Sequence, residues 1–439
     1  MKKFFLNLSV LGKGFLLVAC WAVIAVGVVS CGSGTDGGGK AKRVVVPVLD
    51  FDEALANVED VKLSEFATSV RYIPLETNVE SFVGGPSVSD FYVKDGAGFF
   101  FRATFQEKIG VRFFSPDGEF IRPIGVKGRA KGEFMFNTVV VPSSDRDEIA
   151  IGGPQGLVVY TLGNEYVKNI SFDLLSKYNP FVVGYSYIGN GKYDAVAGLR
   201  MNVKDGEENL VVPVFGEDGN IERVFPVMVE GTHEYKMGNG PDAGVVMKMV
   251  SLGLRHNFGG KSCYLRAGIE NEDTLYMFGE DYKLIPFMVF DYGRYTSARE
   301  QGVYPNYLMV GNTSFGHGKI RQINDSYLFP ISVPAIDFPD WKESTNDLCV
   351  SAVLYTPHKY QVRTLSYDGR TGMTGFVNDI DGGIPFYPDV IEGNKMYQLI
   401  DAISFIDLAA MSNSPKMKAV AKKLGEESNP VIIEVTLKD

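Results

Sequence analysis

Short runs of β-branched and aromatic residues, separated by Gly, Asp and Asn, recur along the chain from Val70 to Leu437. Such runs are typical of β-strands, and the residues between them are typical of tight turns. One group of four occupies residues 88–93, 98–102, 111–114 and 120–124. Asp117-Gly118, between the last two runs, is a strong hairpin signal. The chain is therefore predicted to be all-β.

The hairpin at residues 113–121 recurs elsewhere in the chain. Its sequence FFSPDGEFI is echoed by VFGEDGNI at 214–221 and more weakly by residues 159–164 and 365–369. A four-stranded sheet cannot bury both faces alone, so such units must stack. About 370 residues at a period of roughly 45 to 60 predict a six-bladed β-propeller of four-stranded antiparallel blades, with seven blades as the alternative. A pair of β-sandwiches would explain the strands but not their grouping in fours.

A short helical insertion is predicted near the C-terminus. Ser414 is a suitable N-cap, Pro415 suits the first helical position, and Gly425 is a suitable stop. A clear strand follows at residues 430–437. Because closing the ring removes free strand edges, we expect an early strand around residues 70–73 to complete a blade with C-terminal strands.

The first thirty residues have the order of a secretion signal. A basic region with three lysines precedes an uncharged apolar run at 15–29, which is shorter than the roughly 20 residues of a membrane-spanning helix. The run ends in Val28-Val29-Ser30-Cys31, which resembles the bacterial lipobox. This resemblance implies that residues 1–30 are removed and that Cys31 is lipidated. The alternatives are an ordinary signal peptide and a signal anchor.

Cys31 and the residues after it predict how the protein is attached to the membrane and which class of ligand it does not bind. Residues 31–45 are Gly-rich and predict a flexible tether, which leaves 46–439 as the propeller. Acylation at Cys31 predicts a lipid-anchored protein of the cell envelope, held to the outer membrane. The formal charge of −10 becomes −13 once the three signal lysines are removed. So acidic a chain is not expected to bind nucleic acid.

Two cysteines remain in the predicted propeller. Cys263 and Cys349 both lie in apolar contexts, which favours buried thiols. A disulfide between them is the alternative.

Residues with catalytic or metal-binding potential are sparse. The four histidines have no partner at ligand spacing. The stretch Asp379-Ile380-Asp381-Gly382 looks like a fragment of a calcium loop, but Val390 stands where the closing Glu would be. A turn whose carboxylates cap backbone N–H groups is the favoured interpretation. No cofactor is expected, although a Ca²⁺ or other divalent cation in the channel is left open.

Two long segments, 228–260 and 294–319, interrupt the strand rhythm. Long loops in compact domains are often functional. They carry the candidate ligand-binding residues His233, Tyr235, Arg255, His256, Arg294, Tyr295, Tyr304, Tyr307 and His317. Aromatic rings with Arg can stack on a sugar or hold a peptide. The alternative is that these segments plug the channel mouth or cover a blade edge.

Several stretches together resemble the six-bladed β-propeller lipoproteins of Bacteroides and related bacteria. They are RYIPLET at 71–77, the Gly-rich 125–134, DTLY at 273–276 with FDYG at 290–293, and NDIDGGIPF at 378–386 with NPV at 429–431. The resemblance implies the propeller fold from about residue 60 to the C-terminus. These motifs are structural and say almost nothing about activity.

Two functions from different classes follow as expectations. The first is a non-catalytic binding or scaffold module of the cell envelope, which uses one propeller face to hold a glycan, peptide or partner protein. The alternative is a metal-dependent lactonase- or lyase-like propeller enzyme with its site in the central channel. That enzyme would need oxygen ligands from several blades.

Overall fold

The computed structural model describes most of the chain beyond residue 45. The described residues are 46–84, 90–102, 109–135, 139–153, 156–171, 181–199, 209–227, 233–237, 245–249, 255–258, 261–265, 274–278, 284–297, 308–310, 320–341 and 348–438. The predicted signal peptide, Cys31 and the tether lie outside the described residues.

The described chain begins with a segment that we name the N-terminal strap, residues 46–74. In chain order it contains strand β1 (Val48–Asp50), helix α1 (Phe51–Ala56), strand β2 (Val58–Glu59), a 3-10 turn (Leu63–Glu65) and strand β3 (Ala67–Pro74).

The first three blades are four-stranded antiparallel sheets built from consecutive strands. Blade 1 contains β4 (Phe91–Lys94), β5 (Gly98–Arg102), β6 (Ile109–Phe114) and β7 (Phe120–Val126). Blade 2 contains β8 (Val139–Pro142), β9 (Glu148–Gly153), β10 (Gly156–Thr161) and β11 (Tyr166–Ser171). Blade 3 contains β12 (Phe181–Gly189), β13 (Lys192–Leu199), β14 (Asn209–Gly216) and β15 (Ile221–Val227). A separate hairpin of β16 (His233–Met237) and β17 (Val245–Met249) follows.

The other three blades each contain a strand from the strap. Blade 4 contains β18 (Arg255–Phe258), β19 (Lys261–Leu265), β20 (Thr274–Phe278) and β21 (Leu284–Asp291), with β1 added. Blade 5 contains β22 (Met309–Val310), β23 (Arg321–Ile323), β24 (Ser326–Pro334), β25 (Leu348–Thr356) and β26 (Gln361–Leu365), with β2 added. After the small hairpin of β27 (Tyr367–Asp368) and β28 (Met373–Thr374), blade 6 contains β29 (Val390–Glu392), β30 (Lys395–Ile400) and β31 (Val431–Leu437), with β3 added. The remaining 3-10 turns are Gly293–Tyr295, Ala335–Asp337 and Pro357–Lys359.

The six sheets form a six-bladed β-propeller, as the sequence predicts, and the seven-bladed and β-sandwich alternatives are wrong. The ring closes between the two ends of the chain. Strand β3 pairs antiparallel with β31, with Val70 opposite Val435 and Ile73 opposite Ile432. This pairing confirms the predicted clasp, and it gives blade 6 its fourth strand.

The strap also covers the outer edges of blades 4 and 5, which the sequence did not reveal. Strand β1 pairs in parallel with β21, and β2 pairs in parallel with β26. Thr364 of β26 fixes the strap twice: its Oγ1 donates to the Ala54 carbonyl at 2.6 Å, and its N–H donates to the Asn57 carbonyl at 2.9 Å. The strap therefore satisfies edge groups that would otherwise face water.

The core lies between blades rather than within one sheet. The three consecutive phenylalanines of β5 show why, because successive strand residues point to opposite faces. Phe99 and Phe101 belong to the cluster shared with blade 6, whereas Phe100 belongs to the cluster shared with blade 2. Phe100 stacks on Phe113 with ring centroids 4.6 Å apart. A strand buried on both faces needs such an unbroken apolar run.

Hydrophobic clusters occupy five of the blade interfaces among the described residues, namely 1/2, 2/3, 4/5, 5/6 and 6/1. Cys349 of β25 is completely buried in the 4/5 cluster, as its apolar context predicts. Cys263 lies in β19 of blade 4, and its side chain is outside the described part.

In blades 1, 2 and 3, the hairpin between the third and fourth strands contacts the outer strand of the preceding blade. In blade 1 this hairpin carries Gly118, whose carbonyl accepts the N–H of Glu76, just beyond β3, at 2.8 Å. In blade 2 it carries Asn164, whose Oδ1 accepts the N–H of Gly125 in β7 at 2.7 Å. The hairpin therefore joins neighbouring blades at their outer edges.

This contact explains the sequence repeat. In blade 3, Gly219 lies so close to β11 that a Cβ atom there would be 2.3 Å from the Ser171 carbonyl oxygen. The repeats at 113–121, 159–164 and 214–221 thus occupy equivalent positions in three blades. The fourth echo, 365–369, lies instead where the chain leaves β26 for β27. The repeat is structural, because its members join blades.

The predicted C-terminal helix is present, and a second helix precedes it. Helix α2 (Ala402–Met411) is capped by Asp401, whose side chain accepts the N–H of Ser404. Helix α3 (Pro415–Ala421) is capped by Ser414 and begins at Pro415, as predicted, but ends before Gly425. Both helices form an insertion between β30 and β31. In the described part of the chain, no helix has the length and apolarity needed to span a membrane.

Candidate functional site

A cavity of about 410 Å³ lies beside the connection between blades 5 and 6. We name it the crossover cleft and define it by Asp60 of the strap, residues 366–370, parts of 375–385, and Asn413 between α2 and α3. Its volume is within the range of small-ligand sites. Three separate segments of the chain converge on it, so its shape depends on the closed ring.

An aromatic stack stands at the edge of the crossover cleft. Tyr367 lines the cavity, and its ring stacks on Trp341 with centroids 6.0 Å apart and planes 26° apart. Trp341 in turn packs on Phe338, with centroids 4.5 Å apart. Trp341 and Phe338 both pack against the core between blades 4 and 5. The stack therefore fixes the orientation of the Tyr367 ring.

The hairpin of β27 and β28 places a carboxylate and a guanidinium side by side in the cleft. Asp368 Oδ1 accepts the backbone N–H of Arg370 at 2.9 Å, and Asp368 Oδ2 lies 3.6 Å from Arg370 Nη2. Gly372, with φ of 70°, turns the chain back at a position where a side chain would be strained. The carboxylate is thus held in one orientation by its own loop.

The strap contributes an acidic wall to the cleft. Asp60 Oδ1 accepts the Ser366 hydroxyl at 2.5 Å, and the Ser366 N–H donates to the Glu59 carbonyl at 3.1 Å. Asp60 itself is exposed. The site is therefore completed by the N-terminal segment, although most of its residues lie more than 300 positions further along the chain.

The stretch that resembles a calcium loop is a turn with structural hydrogen bonds, as the favoured interpretation predicts. Asp379 Oδ1 accepts the N–H of Ser64 at 2.9 Å, and Asp379 Oδ2 accepts the Ser64 hydroxyl at 2.6 Å. Asp381 accepts the N–H of Gly383 at 3.1 Å and the Tyr72 hydroxyl at 3.1 Å. Both carboxylates therefore hold the floor of the cleft and the strap together.

The surroundings shift the pKa values of two groups in this turn. Partial burial tends to raise the pKa of Asp379, but the hydrogen bonds from the Ser64 side chain and backbone outweigh it and hold the pKa below its ordinary value. Burial raises the pKa of Tyr72 well above its usual range, and the nearby Asp381 carboxylate adds to the rise. Asp379 thus stays ionised, and Tyr72 stays a hydroxyl donor.

A second cavity of about 460 Å³ lies at the opposite ends of the strands, between hairpins of blades 1 and 2. We name it the turn cavity; it is lined by residues 94–97, Phe113, Asp147 and residues 161–163. Lys94 on its wall donates to the Ser143 carbonyl at 2.7 Å, which links the two blades. The aromatic residue in its lining is Phe113, which is only 5% exposed and stacks on Phe100 in the core between blades 1 and 2.

Of the candidate ligand-binding residues, Arg294 and Tyr295 lie at the outer edge of blade 4. Tyr295 is 4% exposed, and its hydroxyl donates to Asp337 Oδ2 at 2.7 Å. The backbone N–H of Arg294 donates to Asp52 Oδ2 at 3.1 Å, and its guanidinium lies over the Tyr295 ring. Arg294 therefore bonds to the strap, whereas Tyr295 bonds to the Ala335–Asp337 turn of blade 5 and packs in the cluster that contains Leu49 and Phe51 of the strap.

The other candidates are described in backbone only or not at all. His233 and Tyr235 lie in β16 and Arg255 and His256 in β18, whereas Tyr304, Tyr307 and His317 lie outside the described residues. Segment 228–260 is not irregular throughout, because it contains a hairpin and the first strand of blade 4. Arg294 and Tyr295, the two candidates with described side chains, are not among the residues that line the crossover cleft. Ligand binding by all nine candidates stays a prediction.

Two sequence features coincide with the cleft, and both have the pattern of structural motifs. They are the weak echo at 365–369 and the motif at 378–386, which together supply most of its lining. Asp60 and Asn413 carry no local signal, since each reaches the cleft only through the fold. Within the described residues, no group of three or more His, Cys, Asp or Glu side chains is placed to hold a metal ion.

A known structure shares this architecture. A Bacteroides fragilis protein described as exported is similar over 87% of this chain and 98% of its own, with 13% identity and a TM-score of 0.54. Weaker similarity extends to the β-propeller domain of the Trilobed protease from Pyrococcus furiosus (9% identity, TM-score 0.27, 60% of this chain and 78% of that one). It also extends to apo AztD from Citrobacter koseri (10% identity, TM-score 0.27, 70% and 79%).

No curated protein matches the sequence. A family match nevertheless spans residues 46–436, which is the strap and all six blades. The chain therefore belongs to the family described as a domain of unknown function, DUF4934.

Proposed function

We propose that this protein is a non-catalytic binding module of the cell envelope, anchored through a lipid on Cys31, and that its ligand site is the crossover cleft. The observation that carries the proposal is the cleft itself: an open cavity where a fixed aromatic ring, a carboxylate and a guanidinium converge. Small-ligand sites combine these features, with few but oriented polar groups.

The bonding of the acidic groups supports recognition rather than proton transfer. Asp379, Asp381 and Asp60 each accept hydrogen bonds that tie separate chain segments together. A general acid or base has to be available to the substrate proton that it transfers. Carboxylates held in structural bonds instead give a rigid wall, and rigidity lowers the ordering cost of binding.

The envelope location is supported by the N-terminal sequence. The basic region, the uncharged apolar run and Cys31 followed by Gly-rich residues fit an acylated protein on a flexible tether. The similar Bacteroides fragilis protein, described as exported, fits the same interpretation. Metabolic labelling with an alkyne fatty acid tests the anchor: the wild type should carry label, and Cys31→Ala should carry none. Label on Cys31→Ala would contradict lipidation.

The binding role is tested by comparing the two cavities. The full-length protein, purified in detergent, is used to capture ligands from an envelope extract and from the medium. Asp368→Ala in the crossover cleft should abolish capture, whereas the matched Asp147→Ala in the turn cavity should leave it unchanged. If both variants capture as the wild type does, the crossover cleft is not the ligand site.

A further inference from the structure

From the lining of the crossover cleft we infer that its ligand is a carbohydrate without net negative charge, with one sugar ring stacked on Tyr367. This inference rests on the proposed function, because it assumes that the cleft is the ligand site. It is carried by the aromatic stack, the paired polar side chains and the charge of the lining.

The aromatic stack suits the flat C–H face of a sugar ring. Tyr367 lines the cleft, and Trp341 and Phe338 behind it fix its orientation. An aromatic ring that is already ordered offers a large contact area at a small entropic cost. Gly369 comes close to the ring edge, where an added Cβ would lie 3.8 Å from Tyr367 Cε1, so the hairpin backbone follows the ring closely.

The polar groups suit neighbouring hydroxyls. A hydroxyl both donates and accepts, so a pair of them needs an acceptor and a donor side by side. Asp368 offers carboxylate oxygens and Arg370 offers guanidinium N–H groups, 3.6 Å apart at the closest ion-pair contact. The bond from the Arg370 N–H to Asp368 Oδ1 holds the acceptor in place before binding. Such preorganisation favours a ligand with a fixed hydroxyl pattern.

The charge of the lining disfavours anionic ligands. The charged residues of the described lining are Asp60, Asp368 and Arg370, so two carboxylates accompany one guanidinium. A phosphate, sulfate or uronic acid brought into the cleft would meet a net negative wall on an acidic protein. Neutral and N-acetylated sugars carry no net negative charge, so the carboxylates would not repel them.

The strand pattern disfavours an extended peptide. Peptides bound by strand addition need an open sheet edge, but β27 and β28 have two residues each, and β2 covers the outer edge of blade 5. Peptides bound as helices need a hydrophobic groove. Apart from the aromatic ring, the apolar lining of the described cleft is limited to Val377 and Pro385.

The test uses the full-length protein in detergent on an array of neutral, N-acetylated, sulfated and uronic-acid oligosaccharides, followed by calorimetry with the tightest binder. Tyr367→Ala should weaken binding by about tenfold or more, because it removes the stacked ring. Tyr367→Phe should bind nearly as the wild type does. Tyr360→Ala is the control, since this tyrosine of the same blade is 79% exposed at the opposite ends of the strands. Melting temperatures of all variants establish that each is folded.

The outcomes separate the two proposals. Binding of a neutral or N-acetylated sugar that depends on Tyr367 and not on Tyr360 supports the inference. Binding that is unchanged in Tyr367→Ala, or that is restricted to anionic sugars, overturns it. If no sugar binds but ligand capture from the envelope extract still depends on Asp368, the carbohydrate inference is overturned and the proposal of a binding module is retained. If neither assay detects a ligand, both are overturned.

Discussion

Blades 1–3 and blades 4–6 secure their outer edges in different ways. In the first half, the last strand of each blade is the edge, and in blades 1 and 2 a hairpin of the next blade contacts it, as Asn164 does for Gly125. In the second half, the strap adds a strand to every blade. The crossover cleft lies in this strapped half, and the strap supplies Asp60 to it. Ring closure and the shape of the site are therefore coupled.

The largest expected effect is at the clasp of the strapped half. Asn429 is completely buried; its Oδ1 accepts the N–H of Val83, and its Nδ2 donates to the carbonyls of Glu76 and Ser81. Asn429→Ala leaves these groups unpaired, so we expect the free energy of unfolding to fall by about 3 kcal/mol or more. Urea denaturation measures it.

The matched control for that prediction lies in the other half. Asn220 in the blade 3 hairpin is exposed and bonds with its neighbour Asp218. Asn220→Ala should cost less than about 0.5 kcal/mol. If Asn429→Ala and Asn220→Ala lost the same free energy of unfolding, the clasp would be no more important for stability than an ordinary turn.

A pair of glycines tests how the hairpins join blades. Gly118 and Gly96 both have positive φ, of 86° and 72°, but a Cβ on Gly118 would lie 2.5 Å from the Pro74 carbonyl oxygen, whereas Gly96 faces open space. Gly96→Ala should lower the free energy of unfolding by about 1 kcal/mol, because it introduces backbone strain alone. Gly118→Ala should cost about 2 kcal/mol or more, because the hairpin must also move away from blade 6. Similar thermal unfolding of the two variants would contradict the docking role.

The strap itself is tested by one buried hydroxyl. Thr364→Val keeps the shape of the side chain but removes its hydrogen bond to the Ala54 carbonyl, so stability should fall by about 1 to 2 kcal/mol. Thr68→Val is the control, since Thr68 is exposed and its bond to the Thr436 carbonyl is 3.3 Å long. A urea denaturation midpoint of Thr364→Val equal to that of the wild type would show that this bond of the strap adds little to the stability of blade 5.

The smallest expected effect is the pH dependence of the bond between strap and cleft floor. Because the folded-state pKa of Asp379 is below its ordinary value of 3.8, its contribution is fully present above that value and is lost as the pH falls through the folded pKa. The site is exposed, so the contribution is under about 1 kcal/mol. The stability difference between wild type and Asp379→Asn should therefore shrink between pH 5 and pH 3, measured by denaturation across that range. A difference that grows towards acid would contradict this assignment.

The sequence predicted the parts of the fold that repeat or that lie at the chain ends. The four runs of blade 1, the Asp117-Gly118 hairpin, the clasp of β3 with β31 and the Ser414 cap all carry local signals in composition or turn chemistry. The first two strands of the strap did not, because β1 and β2 are only three and two residues long and are held by pairing with β21 and β26. Strands this short are specified by tertiary contact.

The candidate site was harder to predict for the same reason. Arg294 contacts Asp52 of the strap and Tyr295 contacts Asp337 of blade 5, and neither contact has a signal in the local sequence. Tyr367 and Asp368 lie in the weak echo at 365–369, and its sequence alone indicates another hairpin of a blade. Which aromatic residue is buried and which lines a cavity depends on neighbours far apart in sequence, such as Trp341 for Tyr367.

The central claim is that the crossover cleft is where the protein meets its ligand. Backbone hydrogen exchange, measured with and without the tightest sugar from the array, tests it most directly. We predict slower exchange at residues 366–370 and 375–383 and in the strap at 58–64, with no change at 95–97 or 161–163 of the turn cavity. Protection confined to the turn cavity, with the crossover and strap unchanged, would contradict the claim.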